Sequence, residues 1–412
     1  MSTSTSNAET SVEPEDAVLG KEQQITPPDL DFPDGGWRAW SIVIGVIASN
    51  ASTFGFVNAW GVFQAYYQTT LLKEVSPSDI AWIGSIQYSL VFLPGLVTGR
   101  LFDLGYFRIP CLVASTLLVA LTFLVGECHQ YWHFVLCQGV GIGLMAGMIF
   151  GPCLGCLGHW FNKRRGVAFG WAATGSSIGG TIFPIATHKL IPLVGFPWTM
   201  RICGFILIFT LSIANLTLAR RLPPKRTTGG LLNLTAFKNS AYTTYCLNGF
   251  VSFLGLYTLL TYVEVSAVEN GVSPDFSFYL VAIANGCSLV GRVGAGLAAD
   301  RWGPLNVLIP MTLSVFIAIA ALYGVVSGTY VSTFPIPILG MGEVGDIGRR
   351  TGMALTISAL GALAGPPISG AVRTASGGFR AVGYYAGSTV LLAVVLLVTT
   401  RWLVLRRFWG KA

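Results

Sequence analysis

The stretch IAWIGSIQYSLVFLPGLVTGRLFD, residues 80–103, decides the fold, because an apolar run of membrane-spanning length ends here in a charged turn. A helix that crosses a bilayer needs about 20 consecutive apolar residues. Nine other apolar runs have similar length, near 41–63, 109–126, 133–158, 167–187, 199–219, 242–263, 277–298, 353–372 and 382–402. The sequence therefore predicts an all-α membrane protein with many crossings.

Composition supports a lipid environment. Hydrophobic residues make up 53% of the chain and charged residues only 10%, against about 25% charged in an ordinary soluble domain. The 50 glycines suit helices that pack closely in a membrane. Basic residues are scattered between the apolar runs instead of forming a patch, which argues against a nucleic-acid partner. The partner that this composition predicts is the lipid bilayer.

The chain divides into four parts by composition. Residues 1–30 are polar and predict a disordered tail, and a polar linker at 220–240 separates a first half, 31–219, from a second half, 241–412. Most Lys and Arg residues fall on one side if both termini are cytoplasmic, whereas the outer side then holds only Lys73, Lys189, Arg201, Arg373 and Arg380. The positive-inside rule favours this orientation. We expect a multi-pass protein of the plasma membrane.

The two halves repeat each other. Asp103 follows an apolar run that ends in a glycine-containing turn, and Asp300 does so again 197 residues later. A second pair begins at Gly166 and Gly352, where small residues recur at a constant offset of 186. Such duplication predicts twelve spans in two six-helix halves.

Spacing between these landmarks is unequal. Asp103 and Gly166 are 63 residues apart, whereas Asp300 and Gly352 are 52 apart, so the second half is 11 residues shorter there. That difference is about 16 Å of helix. Either spans 9 and 10 within 305–341 are short and meet near Ala320, or one crossing is lost. The orientation of the C-terminal basic residues favours two short spans.

Three motifs resemble known transporter signatures. The Asp at the end of a span in each half resembles the loop motif of the major facilitator superfamily. PDGGWRAW at 33–40 and WFNKRRGVA at 160–168 are similar to the signatures of the monocarboxylate porter family, in its fungal branch. The resemblance covers about 31–410 and implies a bundle of twelve spans. It also implies a latch, in which each Asp accepts hydrogen bonds from a neighbouring helix N-terminus and pairs with a basic residue. The predicted gating residues are Asp103, Arg108, Asp300 and Arg301.

Arg292 is the principal candidate for substrate binding. It lies eight residues before Asp300, about 12 Å along the helix and thus near the bilayer midplane. A buried guanidinium there either captures an anionic or acceptor group of a substrate or bonds to helix carbonyls as a structural group. Supporting candidates are polar or aromatic residues that also suit plain helix packing: Asn58, Gln64, Tyr88, Asn248, Tyr257 and Asn285.

Two departures from the family pattern bear on the substrate. The resemblance implies a lysine near position 58 and an aspartate at position 288, which would bind a proton and a carboxylate. Asn58 and Ser288 stand there instead. The proton- and carboxylate-binding groups of a lactate-type proton symporter are therefore missing, although proton coupling by another route stays open.

These features predict a secondary active transporter that moves a small organic solute, monocarboxylate-like or a secondary metabolite, by alternating access. No phosphate-binding loop, catalytic constellation or metal motif is present, so we expect neither an enzyme nor a cofactor. Cys153 and Cys156 fit a glycine-rich helix as small packing residues. Two alternatives stay open: an impaired carrier, because of the short second half, and a nutrient sensor with a transporter fold.

Overall fold

Twelve helical spans follow one another in the computed structural model, which describes residues 32–223, 230–269, 271–315, 320–342 and 346–406. Spans 1–4 are Gly36–Leu71, Asp79–Asp103, Arg108–Val125 and Tyr131–Trp160, and spans 5 and 6 are the two parts of Arg165–Thr217. Spans 7–12 are Ser240–Glu269, Pro274–Trp302, Pro304–Val315, Ala320–Thr333 with Pro335–Gly340, Ile347–Ser376 and Phe379–Leu405. Among the described residues, eight helices are long and apolar enough to cross a bilayer, with Arg165–Thr217, which comprises spans 5 and 6, counted as one. The predicted all-α membrane bundle is confirmed.

Most helices extend beyond their apolar runs. Span 1 covers Gly36–Leu71 where the sequence predicts 41–63, and span 11 covers Ile347–Ser376 where it predicts 353–372. Backbone hydrogen bonding continues past the hydrocarbon layer, whereas hydropathy marks only the part in lipid. The predicted tail at 1–30 lies outside the described residues, as does 224–229 of the linker.

Interruptions of regular helix in span 1 and between spans 5 and 6 shape the first half. Spans 5 and 6 are divided at Gly195, whose φ of 77° is available to glycine at little steric expense. Span 1 is π-helical over Ala51–Gly55 and then breaks at Asn58 and Ala59 before helix Trp60–Tyr66. Non-helical backbone at membrane depth is tolerated where protein or a cavity surrounds it. The break therefore marks the middle of span 1 as a site candidate.

Spans 9 and 10 are short, as predicted. The two spans share residues 304–340, whereas the corresponding spans 3 and 4 extend over 108–160. Their described helices are Pro304–Val315, Ala320–Thr333 and Pro335–Gly340. The predicted meeting point near Ala320 adjoins residues 316–319, which lie outside the described chain.

Glycines let the spans approach backbone to backbone. A Cβ on Gly55 of span 1 would lie 2.6 Å from Gly179 Cα of span 5, and a Cβ on Gly99 of span 2 would lie 2.1 Å from Gly348 O of span 11. Small residues are the usual contact in membrane helix packing. Large apolar side chains point outward instead, as Ile109 and Leu216 do with 76% and 81% exposure, and this surface suits lipid.

One end of the bundle gathers the charged turns, and we call it the linker end. Trp160 at the end of span 4 donates through Nε1 to Ala219 O, where the linker begins, at 2.9 Å. The Arg220 guanidinium lies 5.0 Å from the ring centroid of Phe102, next to Asp103. The repeated aspartates of the two halves therefore lie at the end of the bundle that carries the linker.

Candidate functional site

Asp300 caps a helix of the opposite half. Its Oδ1 accepts from Gly166 N at 2.6 Å and its Oδ2 from Val167 N at 2.9 Å, so the carboxylate sits on the N-terminus of span 5. Unpaired N–H groups and the positive end of the helix dipole favour an anion at this position. Close approach depends on Gly296, where a Cβ would lie 2.3 Å from Gly166 O. Span 8 is thereby held against span 5.

Asp103 makes the reciprocal contact. Its Oδ1 accepts from Gly348 N at 3.0 Å and its Oδ2 from Arg349 N at 2.8 Å, at the N-terminus of span 11. Each half thus provides one carboxylate and one helix N-terminus to the other half. Both contacts lie at the linker end, and they join the two halves there.

The positive charge beside Asp103 comes from residues other than the predicted Arg108. Arg108 begins span 3 as an exposed residue, and no ion pair in the described part of the chain joins it to Asp103. The positive charge near Asp103 comes instead from Arg349 and Arg220, because the carboxylate points toward span 11. Arg301 is exposed in the last turn of span 8.

Arg292 belongs to a ladder of contacts between spans 5 and 8. Its Nη1 donates to Ala173 O at 2.9 Å and to Ser176 Oγ at 2.6 Å, and only 6% of the residue is exposed. One turn further from the linker end, Ser288 Oγ lies 2.7 Å from Ser177 Oγ. In this conformation the guanidinium bonds a helix carbonyl, and it does so across the two halves.

Asn58, Tyr88 and Asn285 are brought together over Gly180 of span 5. Tyr88 donates its hydroxyl to Asn58 Oδ1 at 2.6 Å, and Asn285 Nδ2 donates to Gly180 O at 3.2 Å. A Cβ on Gly180 would lie 2.7 Å from Asn58 Nδ2 and 3.2 Å from Asn285 Oδ1. The break in span 1 places Asn58 there. Three predicted site residues therefore form one polar group at the interface of the halves.

The other candidates have different surroundings. Gln64 accepts from Trp60 Nε1 at 2.8 Å within span 1. Asn248 is fully buried and bonds within the second half, to Tyr330 Oη at 3.3 Å and to Ser252 Oγ at 3.1 Å. The side chain of Tyr257 lies outside the described residues.

A row of aromatic rings runs from the polar group into the second half. Ring centroids are 6.5 Å apart for Tyr88 and Phe54, 5.1 Å for Phe54 and Phe92, and 5.2 Å for Phe92 and Phe253. Phe253 then lies 6.3 Å from Tyr330, the partner of Asn248. Edge-to-face pairs of this kind form a rigid, buried apolar row beside the hydrogen-bonding groups.

The two signature motifs of the first half bind each other, which the sequence did not predict. Asp34 Oδ1 accepts from the backbone N–H groups of Asn162, Lys163 and Arg164 at 2.7, 2.8 and 3.2 Å. Asp34 itself has a φ of 49°, a conformation that Asp and Asn tolerate better than most residues. Span 5 therefore starts with Asp34 on its preceding loop and Asp300 on its first turn.

Comparison with known proteins agrees with this architecture. A profile described as the Major Facilitator Superfamily matches residues 40–345. The chain belongs to the major facilitator superfamily. It is 37% identical over 388 residues to the MFS-type transporter 1 of an Ophiocordyceps species, with 90% of this chain and 86% of that protein covered. It is 36% identical to the aspyridones efflux protein of Emericella nidulans, with 90% and 79% covered.

One further relative and two solved structures are also similar to this chain. The fujikurins efflux protein of Gibberella fujikuroi is 34% identical, with 90% of this chain and 84% of that protein covered. The E. coli fucose:proton symporter superposes with a TM-score of 0.67 at 14% identity, covering 87% of this chain and 98% of that chain. The human organic anion transporter MFSD10 gives 0.66 at 16%, with 87% and 98% covered. This chain is accordingly a transporter with the major facilitator fold.

Proposed function

We propose that this protein is a secondary active transporter that carries a small organic solute by alternating access between its two halves. The observation behind the proposal is the reciprocal pair of caps, Asp103 on span 11 and Asp300 on span 5. Both consist of hydrogen bonds between groups that water can also satisfy, so both can break and re-form as the halves rock. Asp103 and Asp300 act as the gate, and the polar group above Gly180 lies on the substrate's path.

The substrate we propose is a fungal secondary metabolite, and the direction is export. Two relatives are named as efflux proteins for aspyridones and fujikurins. The aromatic row beside Asn58 is buried where the halves meet in this conformation, and it suits a bulky, largely apolar molecule once the halves separate, since rings offer a large contact area with few polar groups. The motifs at 33–40 and 160–168, which contact each other through Asp34, support a place in the monocarboxylate porter family. The second candidate substrate is an anionic solute, because the Arg292 guanidinium could bind its negative charge.

Metabolite profiling tests this function directly. A fungal strain that lacks the gene is compared with the same strain carrying the wild-type chain, and metabolites are measured inside the cells and in the medium. We expect at least one organic metabolite to move from cells to medium when the protein is present. Identical profiles in the two strains, with the protein expressed at the membrane, would remove the proposal.

The proposed location is the plasma membrane, with both termini in the cytoplasm. Exposed Lys163 lies beside the linker end, and exposed Arg380 begins span 12 at the other end. Cysteine at position 163 should react with an impermeant thiol reagent only after permeabilisation, and cysteine at 380 should react in intact cells. Labelling of both positions from the same side would contradict this topology.

A further inference from the structure

Two carboxamides from opposite halves meet over a glycine at the centre of the bundle. Asn58 is provided by the broken part of span 1, and Asn285 by span 8. Both lie against Gly180, where an added Cβ would come within 2.7 Å of Asn58 Nδ2 and 3.2 Å of Asn285 Oδ1. The absent side chain lets both carboxamides lie directly against the backbone of span 5.

Existing hydrogen bonds fix which atoms these carboxamides offer. Asn285 Nδ2 donates to Gly180 O, and a carbonyl oxygen can only accept. This contact therefore identifies the amide nitrogen of Asn285 and leaves its Oδ1 as the free acceptor atom of the side chain. Tyr88 donates to Asn58 Oδ1, which leaves the Nδ2 amide hydrogens of Asn58. Within the described residues no hydrogen bond uses Asn58 Nδ2 or Asn285 Oδ1. The pair therefore presents one donor and one acceptor side by side.

The immediate surroundings of the pair on span 8 are neutral. One turn along span 8, the hydroxyl of Ser288 lies 2.7 Å from the hydroxyl of Ser177, so the residue nearest to the pair on this face carries no charge. A free carboxylate ligand would gain the donor of Asn58 but would face the oxygen of Asn285, which repels it. A group with an acceptor next to a donor satisfies both.

We propose that the substrates of this transporter carry an uncharged cis-amide of the lactam type. Its carbonyl accepts from Asn58 Nδ2, and its N–H donates to Asn285 Oδ1. The inference rests on the proposed transport function and specifies its ligand. Because Asn58 belongs to the first half and Asn285 to the second, the bound lactam links the halves, and its binding favours the conformation in which they meet.

A matched pair of probes tests the ligand class. Yeast cells that express the chain are loaded with a phenyl-substituted 2-piperidone or with its N-methyl derivative, which has the same ring and charge but no N–H. Release into the medium is measured by mass spectrometry against cells with empty vector. We expect the N–H lactam to leave on the order of tenfold faster than the N-methyl lactam, because the methyl group leaves the Asn285 oxygen unpaired.

Three variants assign the effect to the pair. Asn58→Ala and Asn285→Ala should bring the ratio of the two release rates close to one, whereas Thr116→Val, on the exposed face of span 3, should keep the wild-type ratio. Size-exclusion profiles of the variants establish that each is folded.

Equal release of both lactams, release of neither, or an unchanged ratio in both asparagine variants would overturn the proposal. The metabolite profile of the deletion strain distinguishes this failure from failure of the transport function, because it does not depend on the probes. A profile showing protein-dependent export together with equal release of both lactams would leave the transporter in place and remove the lactam site.

Discussion

At the scale of single residues, the Arg292 guanidinium combines a charge with a contact across the halves. Its Nη1 bonds Ala173 O and Ser176 Oγ on span 5 in the closed linker end. Arg292→Gln should reduce export at least about tenfold, since the shorter neutral amide replaces neither the charge nor the planar set of N–H donors of the guanidinium. Arg292→Lys should restore little, because an ammonium lacks the planar geometry. Export of the protein-dependent metabolite measures the effect.

Arg380→Gln is the matched control for this substitution, because it removes an exposed arginine at the other end of the bundle. It should leave export unchanged, and both variants should reach the membrane in wild-type amounts. Wild-type export by Arg292→Gln would mean that the guanidinium serves neither the substrate nor the contact between halves.

Asp34 belongs to the same scale, although its effect concerns stability. Its carboxylate accepts three backbone hydrogen bonds from residues 162–164. Asp34→Asn should lower the free energy of unfolding by about 1–3 kcal/mol, because the bonds lose their charge while the φ of 49° stays accessible. Asp34→Ala should lose more. The melting temperature of the purified protein reports both changes, with exposed Glu74→Gln as the acid-to-amide control; equal melting of all four proteins would contradict the role.

Sequence reasoning reached individual residues unevenly. Asp103 and Asp300 stood out because each repeats a motif at the end of a span, and both lie on helix N-termini. The motif around Asp34 was visible too, but its partner lies about 130 residues away and nothing in the spacing indicates it. The meeting of Asn58 with Asn285 depends on a break in span 1 that no proline marks.

At the scale of helices, the contact between spans 5 and 8 depends on missing side chains. A Cβ on Gly296 would lie 2.3 Å from Gly166 O, whereas a Cβ on Gly294, in the same helix, would meet nothing within 4 Å. Gly296→Ala should therefore push span 8 away by about 1 Å or more, toward an ordinary contact distance. Gly294→Ala provides the control, since both changes raise helix propensity equally.

Spin labels measure this displacement. Cysteines that replace exposed Lys163 of the first half and exposed Trp302 of the second carry the labels at the linker end. We expect a longer mean distance and a smaller short-distance population in Gly296→Ala, with Gly294→Ala like the wild type. A distance unchanged by Gly296→Ala would show that spans 5 and 8 do not depend on this glycine.

Hydropathy located the spans but not their internal geometry. Length and apolar content predicted the order of the helices and the short spans 9 and 10, because both follow from counting residues against the bilayer thickness. The π-helical segments at Ala51–Gly55 and Val135–Ile142 left no trace in composition. Their hydrogen bonding is decided by neighbouring helices, which a linear pattern does not contain.

At the scale of the whole molecule, the two halves are joined by contacts of different kinds along one face. Asp300 and Gly296 hold spans 8 and 5 at the linker end, Arg292 follows, and the Asn285 carboxamide lies furthest from that end. When the halves separate at the linker end, the contacts of Asp300 and Gly296 break before the contact of Asn285. A ligand that links Asn58 to Asn285 would thus bind beyond the gate.

The caps of Asp103 and Asp300 act on the same equilibrium between an open and a closed linker end. A double variant therefore tests whether their effects add. Asp103→Asn and Asp300→Asn each replace a charged acceptor by a neutral one, and each should raise the ratio of open to closed linker end on the order of tenfold. The caps share no partner, because one engages span 11 and the other span 5, so the double variant should raise it on the order of a hundredfold. The spin-label populations at positions 163 and 302 measure this ratio, with exposed Glu74→Gln as the control. A double variant no more open than either single one would show that one cap alone holds the linker end closed.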